Sequence, residues 1–193
     1  MSIVIVDNFD SFTYNLSALI TAQSKRKVIV HRRSDKTLDF LSKIQVSYLV
    51  LSPGPGSPKD YPVLFDLIDY YKSRCPILGV CLGFQAVGEF FGATIQPSTR
   101  PVHGETSLIY HKKKHIFSDI TVPFSVCRYH SLRLSNIPDC LDVLATTKDM
   151  LPMAISHRNY QNIVGVQFHP ESFLSEKGDI LIKSFLQLKN SSF

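Results

Sequence analysis

Apolar residues in the first half of the chain fall into short unbroken runs, and the segments between these runs have helical spacing. The runs predict buried strands at Ser2–Val6, Lys27–His31, Ser47–Leu51 and Pro76–Val80. The intervening segments predict helices at Ser11–Thr21, Leu38–Lys43 and Tyr61–Lys72. Strands and helices that alternate in this way form parallel sheets with helices on both faces, so we predict a doubly wound α/β fold.

The pattern changes in the second half, where short strands follow one another without helices between them. These strands are predicted at Thr106–His111, Phe124–Arg128, Val143–Thr147 and Met153–His157. A further buried strand at Ile163–Phe168 and a closing helix at Glu176–Leu188 complete the pattern. We therefore predict a mainly parallel open sheet with an antiparallel β addition in the C-terminal half. Since 44% of the 193 residues are hydrophobic, one domain over residues 1–193 is predicted.

Candidate chemistry is concentrated in two short motifs, of which the first is Gly-Val-Cys-Leu-Gly at residues 79–83. Cys81 follows a predicted strand and precedes a helix predicted over Leu82–Phe91, so it lies at a sharp turn. Glycines two residues to either side permit the close backbone approach that such a turn needs. The positive end of the helix dipole favours a thiolate there, and we predict that Cys81 is a nucleophile.

The second motif, Phe-His-Pro-Glu at residues 168–171, supplies groups that a lone cysteine lacks. Pro170 biases His169 toward an extended conformation, so the side chains of His169 and Glu171 are expected on the same side. A carboxylate bonded to one ring nitrogen leaves the other nitrogen to exchange a proton with Cys81. The two motifs together predict a cysteine hydrolase with a triad of Cys81, His169 and Glu171.

The other cysteines, Cys75, Cys127 and Cys140, have no such neighbours and are interpreted as small apolar residues. Four cysteines without Cys-x-x-Cys spacing argue against a disulfide framework and against a zinc site, so no metal is predicted. A reactive thiol favours a reducing compartment, and we predict a cytoplasmic protein. The opening residues Met1–Asp7 have the pattern of a strand rather than that of a signal peptide.

The formal net charge of +5 suggests a nucleic-acid partner at first, but the basic residues are scattered in short groups. These groups lie at residues 25–27, 32–33 and 112–114, where turns or strand ends are expected, without interleaved aromatic residues. We interpret them as solvated surface, with one patch available to dock a partner. No nucleic acid and no membrane are predicted among the partners, since no apolar run approaches the length of a membrane span.

The loop over residues 52–58 alternates rigid prolines with permissive glycines and is predicted to be a stiff, exposed turn. If it lies beside Cys81, the amides of Gly56 and Leu82 are placed to form an oxyanion hole. An ordinary turn is the alternative interpretation. The loop lacks the Gly-Lys-Ser/Thr of a P-loop and the spacing of a dinucleotide fingerprint, so no phosphate-bearing cofactor is predicted.

Several segments spread over the whole chain match the motifs of one family. They are residues 79–85, 165–172, Asp7–Leu16, Pro53–Gly56, His103–Ser107 and Arg128–Leu132. Together they resemble the class I, triad-type glutamine amidotransferases. Within that family the chain looks like the glutaminase subunit of chorismate-using synthases, which is component II of anthranilate synthase or of aminodeoxychorismate synthase.

The resemblance implies a mechanism and a partner. Cys81 would attack the side-chain amide of glutamine, His169 would protonate the departing ammonia, and water would then hydrolyse the glutamyl thioester to glutamate. Ammonia would pass to a larger, chorismate-binding synthase subunit in a heteromeric complex. The resemblance implies no cofactor for this chain.

The same matching implies further site residues. The amides of Gly56 and Leu82 would hold the oxyanion. The amino-acid head of glutamine would be bound by Gln85 and by the segment of Ser131 and Leu132.

The chain departs from the family pattern at three places. The family commonly has His where Phe84 stands, Lys where Glu105 stands, and a glycine-containing turn where Lys148–Pro152 stands. Phe84 is expected to pack rather than to react, and Glu105 lies in a segment expected to contact glutamine or the partner. His103 and His130 are possible accessory groups, and each is interpreted as a structural hydrogen-bonding group.

Three classes of function stay open from the sequence alone: an amidotransferase subunit, a stand-alone cysteine hydrolase such as a peptidase or a gamma-glutamyl hydrolase-like enzyme, and a partner-binding protein that has lost useful turnover. Asp7–Leu16 and Arg128–Leu132 favour the first class, because an ordinary elbow hydrolase needs neither segment. The pathway stays open as well between anthranilate synthase in tryptophan biosynthesis, aminodeoxychorismate synthase in folate biosynthesis, and one subunit shared by both. Residues 135–138 and 153–154 favour the anthranilate form.

Overall fold

Strands and helices follow one another in the predicted order over residues 1–189, the part of the chain that the computed structural model describes. The first half contains β1 (Ser2–Asp7), α1 (Thr13–Gln23), β2 (Lys27–Arg32), α2 (Thr37–Leu41), β3 (Val46–Leu51), α3 (Val63–Tyr71), β4 (Ile77–Val80) and α4 (Leu82–Phe90). The second half contains β5 (Thr94–His111), β6 (Phe124–Ser135), β7 (Leu141–Thr147), β8 (Pro152–His157), β9 (Ile163–Val166) and α5 (Gly178–Phe185). No helix among these described residues is long and apolar enough to cross a membrane.

Within residues 1–189 the strands form one nine-stranded sheet in the order β2-β1-β3-β4-β9-β8-β7-β5-β6. Strands β2, β1, β3, β4 and β9 are parallel, and the remaining four continue the sheet in antiparallel pairings. The predicted fold class, a doubly wound sheet with an antiparallel addition, is confirmed. The chain moves from β1 outward to β2 and then returns past β1 to β3, so the carboxyl ends of β1 and β3 flank a switch point where such folds hold their sites.

The parallel strands are buried on both faces, which explains the unbroken apolar runs in the sequence. In β1, Ile3 and Ile5 belong to one apolar cluster, in which Leu16 of α1 also lies. The intervening Val4 and Val6 belong to the other cluster, on the side of α2, α3 and α4. Because a shift of one residue would exchange the two faces, this alternation fixes the register and therefore the positions of the strand ends.

Strand β5 is much longer than the predicted strand Thr106–His111, since it begins at Thr94. Residues 96–101 contain two prolines and no apolar alternation, so in the sequence they have the character of a loop. Strand β5 pairs with β6 over most of its length, whereas its pairing with β7 begins at Ile109. The prolines are tolerated because the edge of β5 before Ile109 has no strand beside it in the described structure.

Helix α5 is shorter than the predicted Glu176–Leu188. Lys177 adopts a left-handed conformation with φ of 57°, and the helix begins at the next residue. A Cβ atom at Gly178 would lie 2.0 Å from the Pro170 carbonyl oxygen, so this position requires glycine. The start of α5 is therefore set by close packing against the segment that follows β9.

Candidate active site

Cys81 occupies the turn between β4 and α4 and has a strained backbone, with φ of 53° and ψ of −101°. Positive φ is uncommon for any residue with a side chain, and such strain is concentrated at functional sites. The Cys81 side chain is almost buried, at 6% exposure. Since the first turn of a helix has N–H groups without intrahelical partners, the Leu82 amide at the start of α4 is free of the helix ladder.

Two glycines allow β4 and α4 to meet at this turn. A Cβ atom at Gly83 would lie 2.3 Å from the Leu51 carbonyl oxygen, and one at Gly79 would lie 2.3 Å from the carbonyl oxygen of Gly83. Atoms that are not bonded to each other do not approach so closely, and both obstructing atoms belong to the backbone. Any side chain at these positions would force the strand and the helix apart.

We expect Gly83→Ala to lower the free energy of unfolding by about 3 kcal/mol, because overpacking against backbone atoms cannot be relieved by a rotamer change. Urea denaturation measures this loss. Gly165→Ala is the matched control: its Cβ would lie 3.1 Å from Cδ2 and 3.2 Å from Cα of Phe84, both much farther than the 2.3 Å contact at Gly83. We expect that variant to lose about 1 kcal/mol or less. Equal losses in the two variants would contradict the account of the turn.

His169 and Glu171 follow β9 and are both buried. Nδ1 of His169 lies 2.7 Å from Oε1 of Glu171, on the same side of the extended segment. The imidazole is also contacted by the rings of Phe12 and Tyr129, at centroid distances of 5.2 Å and 5.3 Å. The orientation of the ring is therefore set by the Glu171 carboxylate and by two aromatic side chains. Sequence analysis identified the carboxylate but did not identify Phe12 or Tyr129 as its neighbours.

The remaining ring nitrogen of His169, Nε2, is buried and forms no hydrogen bond of normal geometry with any residue between 1 and 189. Burial lowers the pKa of His169, but the neighbouring Cys81 thiol and Glu171 carboxylate outweigh it and raise the pKa to about 10. The imidazolium form is therefore favoured at neutral pH.

A cavity of about 150 Å³ opens beside Cys81. Of the other residues that the sequence assigned to the site, Gly56, Gln85, Ser131 and Leu132 are in its wall. The loop after β3, helix α4 and strand β6 thus meet around one thiol. The wall is completed by Gly54, Pro55, His103, Tyr129 and His130. Leu82, His169 and Glu171 are not in the wall, although Leu82 follows Cys81 in the sequence, His169 interacts with Cys81, and Glu171 is hydrogen-bonded to His169.

The loop that carries Gly56 is tied to the end of β1 by two hydrogen bonds. The backbone N–H of Asn8 donates to Oγ of Ser52 at 2.9 Å, and the Asn8 side-chain amide donates to the Ser52 carbonyl oxygen at 2.8 Å. Both residues are fully buried. Gly56 itself has φ of 77°, a conformation that favours glycine. The two loops at the switch point are therefore held in one arrangement beside the cavity.

Gln167 links two residues of the site, although sequence analysis did not single it out. It is fully buried, its Nε2 donates to Sγ of Cys81 at 3.7 Å, and its Oε1 accepts from Nε2 of Gln85 at 3.1 Å. Nε2 of Gln85 also donates to the Leu132 carbonyl oxygen at 3.3 Å. The signal in the sequence was its position two residues before His169, which puts both side chains on the same side.

We expect Gln167→Met to slow the alkylation of Cys81 by iodoacetamide about tenfold at neutral pH. The variant removes the donor to the sulfur, and a single hydrogen bond contributes about 0.5–1.5 kcal/mol. Mass spectrometry of the Cys81 peptide measures the rate. Gln187→Met, at an exposed glutamine after α5, is the control and should leave the rate unchanged. An unchanged rate in Gln167→Met would show that the 3.7 Å contact does not affect the thiol.

His130 is held as a neutral ring. Its Nε2 accepts from Nε of Arg128 at 3.0 Å, and its Nδ1 lies 2.9 Å from the Leu132 carbonyl oxygen, so the proton is assigned to Nδ1. Burial lowers the pKa of His130 to about 4, and the charge of Arg128 adds to this effect. These contacts agree with a structural hydrogen-bonding role for His130.

Two departures from the family pattern have a structural explanation. Phe84 is fully buried in the apolar cluster on the α3 and α4 side and packs beside Gly165. Glu105 forms an exposed ion pair with Arg100 at 2.8 Å and is not in the wall of the cavity beside Cys81. The cavity is therefore formed without a contribution from either departing side chain.

All four cysteines are free thiols. Cys75 and Cys127 are buried and Cys140 is partly exposed, and burial raises the pKa of Cys75 to about 12. Cys75 is thus a poor nucleophile, as expected for a small apolar residue. The described residues contain no group of three or more His, Cys, Asp or Glu side chains arranged to hold a metal ion.

Comparison with known proteins points to one family. Residues 4–188 match the family model described as glutamine amidotransferase class-I. The chain is 39% identical over 190 residues to anthranilate synthase component 2 of Cyanophora paradoxa, covering 97% of this chain and 100% of that protein. It is 40% identical over 196 residues to the multifunctional tryptophan biosynthesis protein of Phycomyces blakesleeanus, covering 100% of this chain but 25% of that protein. A solved glutamine amidotransferase of Thermotoga maritima superposes with a TM-score of 0.78 at 16% identity, covering 97% of this chain and 96% of that one, which shows a shared fold.

Proposed function

Since the chain belongs to the class I glutamine amidotransferases, we propose that it hydrolyses glutamine to glutamate and delivers the ammonia to a chorismate-using synthase subunit. The relative from Cyanophora paradoxa, which this chain spans from end to end, is named as component 2 of anthranilate synthase. We therefore assign the chain to anthranilate synthase in tryptophan biosynthesis. One observation carries the proposal: Cys81 interacts with His169, which is hydrogen-bonded to Glu171, and a small cavity opens beside Cys81.

The reaction begins with attack by the Cys81 thiolate on the side-chain amide carbon of glutamine. A carbon–sulfur bond forms, and the carbonyl oxygen becomes an oxyanion. The amides of Gly56 and Leu82 donate hydrogen bonds to this oxygen. Gly56 lies in the wall of the cavity, and Leu82 is the first residue of helix α4. Donors fixed before the reaction stabilise the developing charge without further reorganisation.

His169 then supplies the proton that the leaving group needs. Its raised pKa means that Nε2 carries a proton when glutamine binds, so the carbon–nitrogen bond breaks as that proton moves to the departing ammonia. The neutral ring next takes a proton from water, which attacks the glutamyl thioester and releases glutamate. Glu171 holds Nδ1–H throughout and stabilises the imidazolium each time it forms.

The amino-acid head of glutamine is assigned to Gln85, Ser131 and Leu132, all in the cavity wall. The backbone of Leu132 is held in place, since its carbonyl oxygen accepts from Nε2 of Gln85 at 3.3 Å and lies 2.9 Å from Nδ1 of His130. Backbone oxygens held in this way give orientation at little entropic cost. The substrate side chain then points toward Cys81 along α4.

The partner in this proposal is the larger synthase subunit that binds chorismate. In the Phycomyces blakesleeanus protein the matching region is a quarter of a longer chain. A glutaminase of this type therefore also occurs as one segment of a larger, multifunctional protein. Ammonia transfer requires only that the synthase site lie close to the cavity beside Cys81. The proposed compartment is the cytoplasm, where the free Cys81 thiol stays reduced.

Glutamate release from glutamine tests the proposal. The rate is measured with the purified chain alone and with each chorismate-using synthase subunit of its own organism, and Cys81→Ala supplies the blank. Stimulation by the anthranilate synthase subunit is the expected result. Stimulation by the aminodeoxychorismate synthase subunit instead would move the chain to folate biosynthesis, and stimulation by both would make it a shared subunit. Rates equal to the blank in every mixture would refute the glutaminase assignment.

A further inference from the structure

A second cavity, of about 510 Å³, lies between the paired strands β5 and β6 and the turn that joins β7 to β8. The cationic residues in its wall are Arg100, Arg128, Arg133 and Lys148, and we call this cavity the basic groove. Two carboxylates, those of Glu105 and Asp149, also line it. Cationic side chains therefore outnumber anionic ones in the groove by two to one.

Arg128 is the buried cation of the basic groove, at 8% exposure. Its guanidinium donates to Nε2 of His130 at 3.0 Å and to Oγ of Ser107 at 3.1 Å, and both acceptors are neutral. None of the ion pairs among residues 1–189 includes Arg128. Burial lowers the pKa of Arg128, and the more distant charges of Asp149 and Glu105 oppose that shift without pairing with it.

A guanidinium that is buried without a counter-ion is unfavourable, and an anion that enters the groove would relieve this cost. The charges of Asp149 and Glu105 compensate part of this cost from a distance, but neither carboxylate forms an ion pair with Arg128 within residues 1–189. Glu105 is engaged by Arg100 at 2.8 Å. Arg133 adds a second unsatisfied donor, since its buried Nε has no hydrogen-bond partner in the described part of the chain. The basic groove therefore presents two arginines with free capacity for carboxylate oxygens.

The rim of the basic groove indicates which kind of anion it receives. Leu108, Tyr110 and Met150 line the groove and are exposed, at 52%, 38% and 73% respectively. An apolar rim around buried arginine is typical of protein interfaces, where aromatic residues, methionine and arginine are enriched. A free inorganic anion would make no use of these apolar side chains.

We propose that the basic groove docks an acidic segment of the synthase subunit, with aspartate or glutamate side chains on the arginines and apolar side chains on the rim. The proposal rests on the proposed function, which supplies the partner. The formal net charge of +5 favours encounter with an acidic surface. Arg128 lies in the wall of the groove and its partner His130 lies in the wall of the cavity beside Cys81. A subunit bound in the groove therefore sits next to the place where ammonia is released.

The test compares two variants of equal charge in complex formation with the synthase subunit. Arg133→Gln with Lys148→Gln removes two groove cations and leaves buried Arg128 in place. Lys25→Gln with Lys27→Gln removes two exposed cations outside the groove. Isothermal titration calorimetry gives Kd at two salt concentrations. We expect the groove variant to raise Kd by about tenfold or more and to make Kd less dependent on salt concentration. The control variant should change Kd by less than about twofold.

Circular dichroism and urea denaturation of the isolated groove variant show that it is folded, and its transition midpoint should equal that of the unmodified chain. A Kd that is unchanged in the groove variant, while the unmodified chain binds the synthase subunit, overturns the docking proposal alone. Failure of the unmodified chain to bind that subunit overturns the docking proposal together with the proposed function. Saturable binding of malonate by the isolated chain, with an unchanged Kd for the synthase subunit, would assign the groove to a small anion instead.

A second measurement identifies the chemistry of the occupant directly. A carbodiimide condenses an amine with a carboxylate in contact, forming an amide with loss of water. In the complex we expect Lys148 to be joined to an aspartate or glutamate of the synthase subunit, and the same cross-link to be absent from the Arg133→Gln, Lys148→Gln variant. Cross-links to the synthase subunit that all arise from other lysines would overturn the proposal.

Discussion

Replacement of Cys81 by alanine is expected to lower kcat for glutamate release by about 10⁴-fold or more, because the variant has no nucleophile to form the thioester. No other cysteine is in the wall of the cavity, and the hydroxyl-bearing side chains there are those of Tyr129 and Ser131. The variant should still fold, since alanine fits the space of a small buried side chain. Steady-state kinetics in the presence of the synthase subunit measure the effect.

Cys140→Ala is the matched control for the cysteine replacement. Cys140 is a free thiol that is partly exposed and contacts the Phe91 carbonyl oxygen rather than the site. Its kcat should stay within about twofold of the unmodified chain, as is usual for a side chain remote from the chemistry. Comparable losses in the two variants would mean that thiol removal acts through the fold, and the role assigned to Cys81 would then be wrong.

Replacement of Glu171 by glutamine is expected to lower kcat by about 10²–10⁴-fold with a smaller effect on KM. The carboxylate fixes the proton on Nδ1 of His169 and stabilises the imidazolium, and loss of the equivalent carboxylate in other triads is similarly severe. The pH profile also changes. Glu171 helps to raise the pKa of His169 to about 10, so its removal lowers that pKa. Because the reaction needs protonated His169, the alkaline limb of the kcat profile should move to lower pH.

Glu176→Gln tests whether that effect is specific to the carboxylate beside His169. Glu176 lies five residues further along, and its side chain accepts a hydrogen bond from the Ser125 amide, which a glutamine oxygen also accepts. We expect its kcat and its pH profile to match those of the unmodified chain. If the alkaline limb stays in place in Glu171→Gln, the carboxylate does not tune His169 and the proposed proton transfer loses its support.

The parallel half of the fold is predictable because its strands are buried on both faces. In β1 the residues from Ile3 to Val6 are all fully buried, so the sequence is apolar without interruption. The antiparallel half gives a weaker signal. The first part of β5 contains prolines and polar residues, which fit a strand edge without a neighbour but have the pattern of a loop. Its existence depends on pairing with β6, which is distant along the chain.

The parts of the candidate site that depend on a few neighbouring residues were predictable from the sequence. The parts that depend on contacts between distant segments were not. The turn at Cys81 and the spacing of His169 and Glu171 follow from backbone rules that act over a few residues. Gln167 was not identified because its position two residues before His169 is its only signal in the sequence, and a single polar residue at the end of an apolar strand does not stand out. Phe12 and Tyr129 contact His169 from separate parts of the chain, so their role emerges only when the sheet assembles.

The basic groove is the feature that is hardest to predict from the sequence. Its cations are spread along the chain from Arg100 to Lys148, and among them only Arg128 lies in a strand predicted from the sequence. They converge because β5 pairs with β6 on one side and with β7 on the other. No composition or spacing rule detects an arginine that is buried without a counter-ion.

The fate of the amide nitrogen of glutamine tests the central claim most directly. Glutamine labelled with ¹⁵N in its side-chain amide is supplied with chorismate to the chain and the anthranilate synthase subunit, and the product is examined by mass spectrometry. The account predicts ¹⁵N in anthranilate, with the label lost in Cys81→Ala while synthesis from added ammonium continues. Unlabelled anthranilate from the unmodified chain, formed only when ammonium is added, would contradict it.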